Sequence, residues 1–522
     1  MSHPVSTEVL IVGAGPTGLT LACELARRNV PFRLIDAATG PFVGSRGKGT
    51  QPRSLEVLDD LGVVDQALAG GRFHVPFRFY DAAGGHQDQD LHEGRAPRPD
   101  APYASTLMIP QWRVEGILRD RLAQFGGHVE FGTTLTDIAQ DDAGVTATLS
   151  RGDIAETARA HWLVGCDGGR SQTRRLLGVD FIGETIETHR MFVGDVKATG
   201  LDREFWHAWR NEDGFLAMAP LPATEMYQLQ ASIEPDVTAE PSLAVFQQIV
   251  DARTGRTDIR LSEATWMSLW RANVRMVDRY RVGRAFLAGD AAHVHSPAGG
   301  QGMNTGIQDA YNLGWKLAAV IGGAEPTLLN TYEEERLPIA AWILGVSNKL
   351  TTRTFNTDNP PARRDEETLQ LGINYRDGRL ACEQRATPGQ VRAGDRAPDA
   401  PGLQGSDGEH RLFDVFRGTH FTLLAFGDGW DDVTAQAEAH CGSCLKSIVI
   451  HAADAHDATT HHEKARTIDT QGHAARAYDI QRDTLLIVRP DGYIGLVTEQ
   501  RSVEPVLAYL AMMQTEAANR VA

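Results

Sequence analysis

A glycine-rich turn near the start of the chain constrains its fold more than any other feature. Residues 8–12 form an apolar run that predicts a buried strand, and it is followed directly by Gly13-Ala14-Gly15-Pro16-Thr17-Gly18. Residues 17–28 then have a helical pattern, and a second apolar strand over residues 32–35 leads into Asp36. This order of strand, turn, helix and strand is the context in which the Gly-x-Gly-x-x-Gly pattern binds a dinucleotide. The sequence therefore predicts an α/β chain that opens with a Rossmann-like unit.

The three glycines have separate roles in such a turn. Gly13 permits the tight turn, Gly15 lets a pyrophosphate approach the backbone, and Gly18 lets helix and strand pack closely. The helix N-terminus then faces the phosphates with its partial positive charge. Asp36 is placed to accept a hydrogen bond from a ribose hydroxyl and would repel a ribose 2′-phosphate. The turn therefore fits FAD or NAD rather than NADP, and by itself it does not separate the first two.

A second glycine-rich segment lies far from the first, and its residues are Gly289-Asp290-Ala291-Ala292-His293 followed by Pro297-Ala298-Gly299-Gly300-Gln301-Gly302-Met303-Asn304. Asp290 follows an apolar strand over residues 284–288, and its carboxylate can accept hydrogen bonds from ribityl hydroxyls. Residues 299–304 present backbone N–H groups at a helix start, which suits the electron-rich pyrimidine edge of a flavin. Since an NAD dehydrogenase has no need of this segment, the pair of segments predicts FAD.

A third segment, Asp167-Gly168-Gly169-Arg170-Ser171, also links a strand to a helix. Two interpretations are open for this segment. Alone, it favours a capped helix start. Beside the other two segments, it favours a role in supporting the cofactor.

Composition restricts the possible partners and the location. The net charge of −17 argues against a nucleic acid or an anionic membrane, because both require a basic face. No apolar run reaches the roughly 18 residues of a membrane span, and the N-terminus lacks a signal-peptide pattern. The five cysteines are too few and too scattered for a disulfide framework. We expect a reduced, cytoplasmic protein, either a monomer or a homodimer.

The predicted elements divide the chain into four segments. Residues 1–180 form the first part of the FAD-binding domain, and residues 181–275 form an inserted, mostly antiparallel β-sheet that binds the substrate. Residues 276–394 return to the FAD-binding domain with long helices and, over residues 356–394, a partly packed linker. Residues 395–522 form a separate small α/β domain, with strands predicted over residues 421–426, 447–450 and 485–488.

Several shorter motifs accompany the three segments: Ser45-Arg46, Gln51-x-Arg53-Ser54-Leu55-Glu56, Gln111-x-x-x-Glu115-x-x-Leu118, Tyr332-Glu333-x-Glu335-Arg336 and Arg489-Pro490-Asp491-Gly492-Tyr493. Over nearly its whole length the chain resembles the single-component FAD-dependent aromatic hydroxylases, also called class A flavoprotein monooxygenases. Within them it is most similar to the phenol, 3-hydroxyphenylpropionate, pentachlorophenol and polyketide hydroxylases that carry a C-terminal thioredoxin-like domain. Gly169, Gln172 and Thr173 depart from the commonest residues of that family.

The resemblance implies a reaction and a set of cofactors. FAD would be bound non-covalently, NADPH or NADH would be a transient reductant, and O2 would be a co-substrate. A flavin C4a-hydroperoxide would hydroxylate a phenolic or polyphenolic ring, with Pro297 beside the reactive flavin carbon. The implied FAD-binding residues are Gly13, Gly15, Pro16, Thr17, Gly18, Asp36, Arg46, Gln111, Asp167, Asp290, Pro297, Gly300, Gly302, Met303 and Asn304.

The inserted sheet supplies the candidates for a substrate pocket. Strand alternation would direct about half of them inward, and the sequence leaves the register open. His207, Tyr227 and Arg210 are the candidates for catalysis, the first two for proton removal, although for each a purely structural role is the commoner alternative. The pocket candidates are Trp206, His207, Trp209, Arg210, Phe215, Met218, Pro220, Tyr227 and Gln230.

Other functions remain open beside aromatic hydroxylation. A Baeyer–Villiger or epoxidising enzyme of the same family would use the same flavin chemistry, whereas a flavin-dependent halogenase would need a Trp-x-Trp-x-Ile-Pro motif that the chain lacks. A non-catalytic, flavin-binding redox sensor is the alternative from another class. His293 and His295 lack a third ligand, so we expect His293 to be a hydrogen-bonded structural residue and no metal to bind.

A Cys-x-x-Cys pair, Cys441 and Cys444, has the spacing of a redox motif. In a working thioredoxin the first cysteine lies at a helix N-terminus, which lowers its pKa. Here the pair follows a predicted helix over residues 431–440 and precedes a strand. We therefore predict a thioredoxin-like domain without redox activity.

Overall fold

The computed structural model describes residues 5–81, 83–296, 299–356, 366–406, 408–453 and 467–513. The strands are β1 Val5–Val12, β2 Phe32–Asp36, β3 Gly49–Thr50, β4 Phe77–Tyr80, β5 His86–Gln89, β6 Leu107–Met108, β7 Glu130–Phe131, β8 Thr134–Asp141, β9 Gly144–Arg151, β10 Ile154–Gly165, β11 Ile182–Thr199, β12 Trp206–Asn211, β13 Gly214–Pro220, β14 Met226–Ile233, β15 Arg260–Met276, β16 Arg281–Val282, β17 Ala285–Leu287, β18 His293–Val294, β19 Cys382–Glu383, β20 Leu403–Gly405, β21 Gly408–His410, β22 Phe421–Phe426, β23 Leu445–Ala452, β24 Thr467–Asp469, β25 Thr484–Val488 and β26 Ile494–Thr498. The helices are α1 Pro16–Ala26, α2 Pro52–Asp60, α3 Val64–Gly70, α4 Gln111–Gln124, α5 Gln172–Leu176, α6 Leu243–Thr254, α7 Gly302–Ile321, α8 Asn330–Asn356, α9 Glu366–Leu369, α10 Leu412–Phe416, α11 Asp431–Cys441, α12 His473–Ala477 and α13 Glu504–Ala511.

The first sheet carries the Rossmann-like opening. Its strand order is β16-β17-β10-β1-β2-β7, and β8 and β9 extend it beside β10. β1 runs parallel to β2 and to β10, with α1 as the connection from β1 to β2, so the predicted strand, turn, helix and strand are confirmed. The side chains of β1 are buried on both faces, in one cluster with α1 and α7 and in another with β8 and β9. Such two-sided burial explains the continuous apolar run in the sequence.

The second sheet is larger than the segment 181–275 from which we predicted it. Its order is β18-β15-β11-β14-β13-β12-β4-β5. The strands β11 to β15 pair antiparallel, as expected, but β4 and β5 come from residues 77–89, and β4 pairs parallel to β12. Residues 77–89 fall within the segment 1–180 that we predicted as FAD-binding, and β5, with the sequence His-Gln-Asp-Gln, is polar and mostly exposed. It therefore lacks the apolar alternation by which a strand is recognised.

The C-terminal sheet has the order β19-β26-β25-β22-β23-β24-β20-β21. The strands predicted near residues 421–426, 447–450 and 485–488 are present as β22, β23 and β25. β19 belongs to this sheet although residues 356–394 were predicted to be a linker. Of that linker, residues 357–365 lie outside the described residues, and residues 366–394 are packed against both neighbouring parts.

Buried ion pairs join the C-terminal domain to the long helices of the FAD-binding part. Arg489, after β25, donates to both oxygens of Glu335 on α8 at 2.7 and 2.9 Å, and also to Asp491. Lys316 on α7 donates to Glu335 at 2.7 Å. At a second contact Arg411 and Arg417 donate to the carboxylate of Asp59, in the last turn of α2. Among the described helices, none combines the length and the apolar character that crossing a membrane requires.

Candidate cofactor and active site

The three glycine-rich segments meet at one edge of the first sheet. β1, β10 and β17 are parallel neighbours, and their carboxyl ends lead into Gly13, Asp167 and Gly289. The carboxyl ends of adjacent parallel strands lie at the same edge, and open α/β sheets bind their ligands there. The three segments therefore belong to one site.

At two positions of the first turn the neighbouring backbone is so close that glycine is required. Gly13 has a φ of +104°, and a Cβ atom there would lie 2.4 Å from the carbonyl oxygen of Cys166. A Cβ atom at Gly18 would lie 1.9 Å from the carbonyl oxygen of Gly13. Gly15, the N-cap of α1, differs because a Cβ atom there would meet no other atom within 4 Å. The backbone at Gly15 is thus open to a ligand, as a pyrophosphate-binding turn requires.

We expect Gly15→Ala to weaken FAD binding about tenfold or more, which is about 1.4 kcal/mol, without lowering the thermal stability of the apoprotein. Gly15 has a φ of −73°, which alanine adopts readily, and the added methyl group would occupy the space that a diphosphate approaches. Gly18→Ala is the contrasting variant, because its methyl group meets backbone and costs about 1–3 kcal/mol or more of stability. Titration of the apoproteins with FAD and thermal unfolding measure both effects. Unchanged FAD affinity in Gly15→Ala would contradict this placement of the pyrophosphate.

The Thr17 side chain packs between the first turn and two glycines, Gly289 and Gly306 on α7. A Cβ atom at Gly289 would lie 2.5 Å from Thr17 Oγ1, and one at Gly306 on α7 would lie 2.4 Å from it. Asp36 supports the same turn, because its Oδ2 accepts a hydrogen bond from the Ala14 N–H at 2.7 Å. Thr17 therefore contacts protein on the side facing α7, and the two cofactor segments pack directly on each other.

Asp290 and Arg46 face each other in a recess beside the N-terminus of α7. The Asp290 side chain keeps exposed surface although protein atoms surround it, and the resulting desolvation raises the pKa of its carboxyl group. Arg46 is also exposed, and its guanidinium lies 4.3 Å from the centre of the Phe42 ring. A Cβ atom at Gly302, the first residue of α7, would lie 3.9 Å from Asp290 Oδ1. An exposed acid, an exposed guanidinium and a helix N-terminus fit the hydroxyls and phosphates of FAD.

A buried ionic network holds the turn that carries Asp290. Asp309 on α7 accepts hydrogen bonds from the Gly289 N–H at 3.0 Å, from His293 Nε2 at 2.7 Å and from Arg336 Nε at 2.7 Å. The side chains of Asp309, His293 and Arg336 are fully buried. His293 is therefore a hydrogen-bonded structural residue, as predicted. Within the described residues no cluster of three His, Cys, Asp or Glu side chains has a metal-binding arrangement.

Asn304 connects the two glycine-rich loops through its side chain. Its amide oxygen accepts from the Gln51 N–H at 2.8 Å, and its amide nitrogen donates to the carbonyl oxygens of Gly49 and Gly300 at 2.9 and 2.7 Å. Gln51 in turn donates to the Gly299 carbonyl at 2.9 Å. Asn304 thus positions the loops, and its predicted contact with the cofactor stays a prediction. Met303 lies beside Asn304 in the first turn of α7, and its Cβ atom would be 3.9 Å from a Cβ atom built at Gly47.

Gln111 also acts through a backbone group. Its Oε1 accepts from the Gly47 N–H at 3.0 Å, and its Nε2 donates to Glu115 at 2.9 Å. The loop of residues 44–50 is therefore tied to the N-terminus of α4. Arg46 lies close enough to both Glu115 and Asp290 for its charge to lower the pKa of each carboxyl group, in opposition to burial.

Asp167 caps the short helix α5. Its carboxylate accepts from the Ser171 hydroxyl and from both the N–H and the hydroxyl of Thr173, at 2.9 and 3.0 Å. Arg174 donates to the carbonyl oxygens of Gly169 and Ala291, which ties this segment to the one near residue 290. These contacts match the capped helix start, in which Ser171 is the N-cap residue, and the predicted cofactor role of Asp167 stays a prediction. Pro297 lies outside the described residues, and its place beside the flavin also stays a prediction.

The register of the second sheet determines which side chains face the cofactor loops. Asp195, Gln228 and Ala219 are adjacent partners across β11, β14 and β13. Ser45 donates through its N–H to Asp195 at 2.8 Å, and Lys48 contacts both Gln228 and the ring of Trp206. The face that carries Asp195, Trp206, Gln228 and Gln230 is called the loop-side face below. The opposite face packs on α6 through Trp209, Met218, Tyr227 and Leu229.

His207 and Tyr227 lie on the α6 face, away from the cofactor loops. His207 Nε2 donates to the Asp202 carbonyl at 2.6 Å, so Nδ1 accepts from the Tyr80 hydroxyl at 2.9 Å. The Tyr227 hydroxyl donates to the Leu201 carbonyl at 3.1 Å. The surroundings of His207 and Tyr227 give no support to the proton-removing roles predicted for them, because alternation directs both away from the cofactor loops. Arg210 alternates with Trp209 and so lies on the same face as Trp206, but it is exposed at the end of β12, and its predicted role in catalysis stays a prediction.

Four residues that join the cofactor loops to the loop-side face received no predicted role in the site: Lys48, Ser45, Asp195 and Gln228. Lys48 and Ser45 lie in a loop without periodicity, so no pattern indicates where their side chains point. Gln228 alternates with Tyr227 on β14, and a shift of one residue exchanges the two faces. The available signal was that Ser45 and Lys48 lie within two residues of Arg46, which had been predicted to bind the cofactor.

Comparison with known proteins agrees with this geometry. Residues 6–346 match a family described as FAD binding domain, and residues 400–513 match the HcaD C-terminal domain. A flavin-dependent monooxygenase of Mycobacteroides abscessus is 46% identical over 518 residues, covering 96% of this chain and 99% of the relative. Pentachlorophenol 4-monooxygenase of Sphingobium chlorophenolicum is 34% identical and covers 80% and 79%. The structure of aklavinone-11 hydroxylase with FAD and aklavinone has a TM-score of 0.83 at 27% identity and covers 98% and 99%.

Together the fold and the site define an FAD-dependent oxidoreductase. The chain belongs to the family of FAD-dependent aromatic monooxygenases, which confirms the resemblance found in the sequence. FAD is its cofactor, and a reduced nicotinamide and O2 are its co-substrates.

Proposed function

We propose that this monooxygenase hydroxylates the ring of a phenolic or polyphenolic substrate that binds between the cofactor loops and the loop-side face. The observation that carries the proposal is the polar and aromatic wall of that face, which lies directly against the loop of residues 44–50. Trp206 Nε1 is buried there and has no hydrogen-bond partner among the described residues. A buried donor of this kind requires an acceptor, and an oxygen substituent of an aromatic ring would provide it.

Several residues of the chain would hold FAD. The open backbone at Gly15 and the N-terminus of α1 would bind the pyrophosphate, and Asp36 the ribose. Asp290 and Arg46 would bind the ribityl and phosphate region, since both are exposed in the recess beside α7. When bound, FAD accepts a hydride from NAD(P)H and then supplies an electrophilic oxygen atom derived from O2.

The remaining task of the protein is to orient the substrate and exclude water. The Trp206 ring is stacked on Phe77 with 4.4 Å between ring centres, which fixes the position of its N–H. Gln228 and Gln230 are linked by a hydrogen bond of 2.8 Å, so the wall has a defined donor and acceptor pattern. The opposite face of the sheet is covered by α6, with an apolar cluster between them. An aromatic ring with at least one hydroxyl group matches such a wall.

The proposed substrate class is tested by a screen of the purified, FAD-loaded enzyme. Mono-, di- and polycyclic phenols are added with NADPH or NADH, and we measure nicotinamide oxidation, oxygen uptake and product mass. We expect at least one phenol to stimulate all three and to gain one oxygen atom. If no phenol gives an oxygenated product, the proposal is wrong. FAD binding without any substrate-stimulated oxidation would instead indicate the flavin-binding sensor.

We also propose that the C-terminal domain is thioredoxin-like and has no redox role. The order β23-β22-β25-β26 supports the fold, with β22 and β23 parallel and the other pairs antiparallel. Cys441 is the last residue of α11, and Cys444 lies directly before β23. The pair is therefore at the C-terminal end of a helix, whose partial negative charge disfavours a thiolate. A hydrogen bond from the Cys441 thiol nevertheless lowers the pKa of Cys444 to about 7.

Replacing both Cys441 and Cys444 by serine should leave hydroxylation within about twofold of the original rate. Both cysteines are free and at least partly exposed, so the change removes little packing. Turnover is compared after confirming equal FAD content, and alkylation of the native enzyme provides an independent check. A large loss of turnover in a folded, FAD-loaded variant would refute the redox-inactive assignment.

A cytoplasmic location, as a monomer or homodimer, completes the proposal. Its support is the set of five free cysteines and the strongly negative net charge. Size-exclusion chromatography with light scattering determines which of the two states occurs.

A further inference from the structure

Lys48 occupies a junction between the cofactor loops and the substrate sheet. Its neighbours in the chain, Gly47 and Gly49, are bound by Gln111 and Asn304, both of which were predicted to contact the cofactor. Its side chain extends in the other direction, to the loop-side face. The backbone of Lys48 therefore belongs to the cofactor site, and its amino group belongs to the proposed substrate site.

The groups in direct contact with the Lys48 amino group are neutral. It donates to the amide oxygen of Gln228 and lies 4.4 Å from the centre of the Trp206 ring. Gln230 donates to that same amide oxygen, so the amide is shared and leaves Lys48 with hydrogen-bonding capacity to spare. The side chain retains some exposed surface. An amino group in such a position can accept or donate a proton at a bound ligand.

Comparison with Lys316 shows that a structural lysine of this chain is built differently. Lys316 is fully buried and forms an ion pair of 2.7 Å with Glu335. Lys48 has no carboxylate within bonding distance among the described residues. Pairing with an acid is the usual condition for burying an ammonium group. The surroundings of Lys48 therefore favour a neutral amine until an anion arrives.

The strands β11, β12 and β14 supply the groups around the Lys48 amino group. β11 contributes Asp195, whose carboxylate is bonded by the Ser45 N–H, whereas β12 and β14 contribute the neutral Trp206, Gln228 and Gln230. Desolvation lowers the pKa of Lys48 to about 7, and the attraction of Asp195 only partly opposes it. Desolvation also raises the pKa of Asp195 to about 6. Near neutral pH the site thus contains an amine that is readily protonated and an acid that stays ionised.

We propose that Lys48 is the general base that takes the proton from the hydroxyl group of the phenolic substrate and then holds the phenolate as an ion pair. The O–H bond of the phenol breaks, its electron pair stays on oxygen, and the proton forms a new N–H bond on Lys48 Nζ. After hydroxylation the proton returns to the product oxygen or to water. Ionisation makes the ring more nucleophilic toward an electrophilic oxygen. This inference rests on the phenolic substrate class proposed above.

The first test is the pH dependence of Lys48→Met, a variant of similar shape without the amine. General base catalysis contributes about 10²–10⁴-fold, so we expect kcat to fall about 100-fold near neutral pH while KM changes much less. The loss should shrink toward pH of about 10, where a phenol ionises without help. In the wild type, kcat should fall as the pH drops through about 7, because Lys48 becomes protonated. Profiles of equal shape for both enzymes would overturn the proposal.

The second test needs no turnover. 2-Hydroxyanthraquinone, whose phenolate absorbs at longer wavelength than its phenol, is titrated into oxidised, FAD-loaded enzyme without nicotinamide. We expect a phenolate band in the wild type at pH values where the free dye is a phenol, and the neutral spectrum in Lys48→Met. Lys48→Arg is permanently charged, so it should stabilise the phenolate without accepting its proton. No dye binding, or equal phenolate bands with and without Lys48, would overturn the proposal.

Lys197→Met is the matched control. Lys197 lies on β11, two residues from Asp195, but its ammonium is exposed and paired with Glu225. We expect its pH profile and dye spectrum to equal those of the wild type.

The two proposals can fail separately. If phenols are hydroxylated but Lys48→Met keeps the wild-type profile, only the role of Lys48 is wrong, whereas the absence of any oxygenated phenol rejects the substrate class itself.

Discussion

Asp309→Ala is expected to lower the free energy of unfolding by about 3–5 kcal/mol, the cost of breaking a buried ion pair, and to reduce FAD content. Without Asp309 the guanidinium of Arg336 stays fully buried, and its remaining hydrogen-bond partners among the described residues, Tyr375 and the Thr305 carbonyl, are neutral. The Gly289 N–H and His293 also lose their acceptor. Since that turn carries Asp290, the loss of its anchor should loosen the cofactor recess. Denaturant unfolding and flavin absorbance measure the two effects.

The same carboxylate predicts a dependence on pH. Burial alone would raise the pKa of Asp309, but Arg336 and His293 overcome burial and lower it below the ordinary value. A carboxyl group with a lowered pKa stabilises the fold fully above about pH 4 and loses that contribution as the pH falls through its folded-state value. Asp428→Ala, which removes an exposed acid paired with His451, is the control and should change stability by about 0.5 kcal/mol or less. Equal stability of the two variants would show that the network is dispensable.

Arg489→Met is expected to destabilise the chain by about 3–5 kcal/mol and to release the C-terminal domain from α7 and α8. Arg489 stands between two buried carboxylates, those of Glu335 and Asp491, with exposed fractions of about 1% or less for all three side chains. After its removal Lys316 is the cation left beside Glu335 among the described residues. Asp491 would keep neutral donors, among them Trp315 Nε1 at 3.0 Å. The buried carboxylates of Glu335 and Asp491 then repel each other.

The separation of the domains can be measured directly. We expect the C-terminal domain of Arg489→Met to unfold before the flavin is released, so that circular dichroism and flavin fluorescence give different transition temperatures. Burial opposes ionisation of Glu335, but Arg489 and Lys316 hold its pKa below the ordinary value, so the wild type should also lose this contact at acid pH. Arg501→Met removes an exposed pair with Asp483 and serves as the control. Coincident, unshifted transitions in Arg489→Met would disprove the role of this contact.

The cofactor half of the site could be predicted from the sequence because its signals are local. The turn at Gly13 needs a strand before it, a helix after it and glycines at fixed positions, and all of these can be read in one short stretch. The acid at Asp290 likewise follows a strand immediately. What the sequence could not supply was the role of Asn304 and Gln111, since each acts through hydrogen bonds to the distant residues Gly49 and Gly47.

The substrate half could not be predicted, because it depends on which face of a strand is inward. Trp206 and His207 are adjacent and both aromatic, yet one faces the cofactor loops and the other packs toward α6. The sequence of β12 is compatible with either register. Lys48 was missed for a different reason: it lies in irregular backbone, where no repeating pattern indicates its direction. Long-range contacts decide both cases.

The way the second sheet is assembled bears on how the chain folds during its synthesis. Its edges are β5, from residues 86–89, and β18, at residues 293–294. The ribosome must therefore add roughly two hundred residues after the first edge before the last one exists, which takes about 10–40 s at usual elongation rates. Until residues 206–211 have been made, β4 and β5 lack the partner β12 and expose backbone groups that another nascent chain can pair with. Expression at low temperature or with a chaperone that shields strand edges should thus raise the yield of folded enzyme more than stabilising the C-terminal domain does.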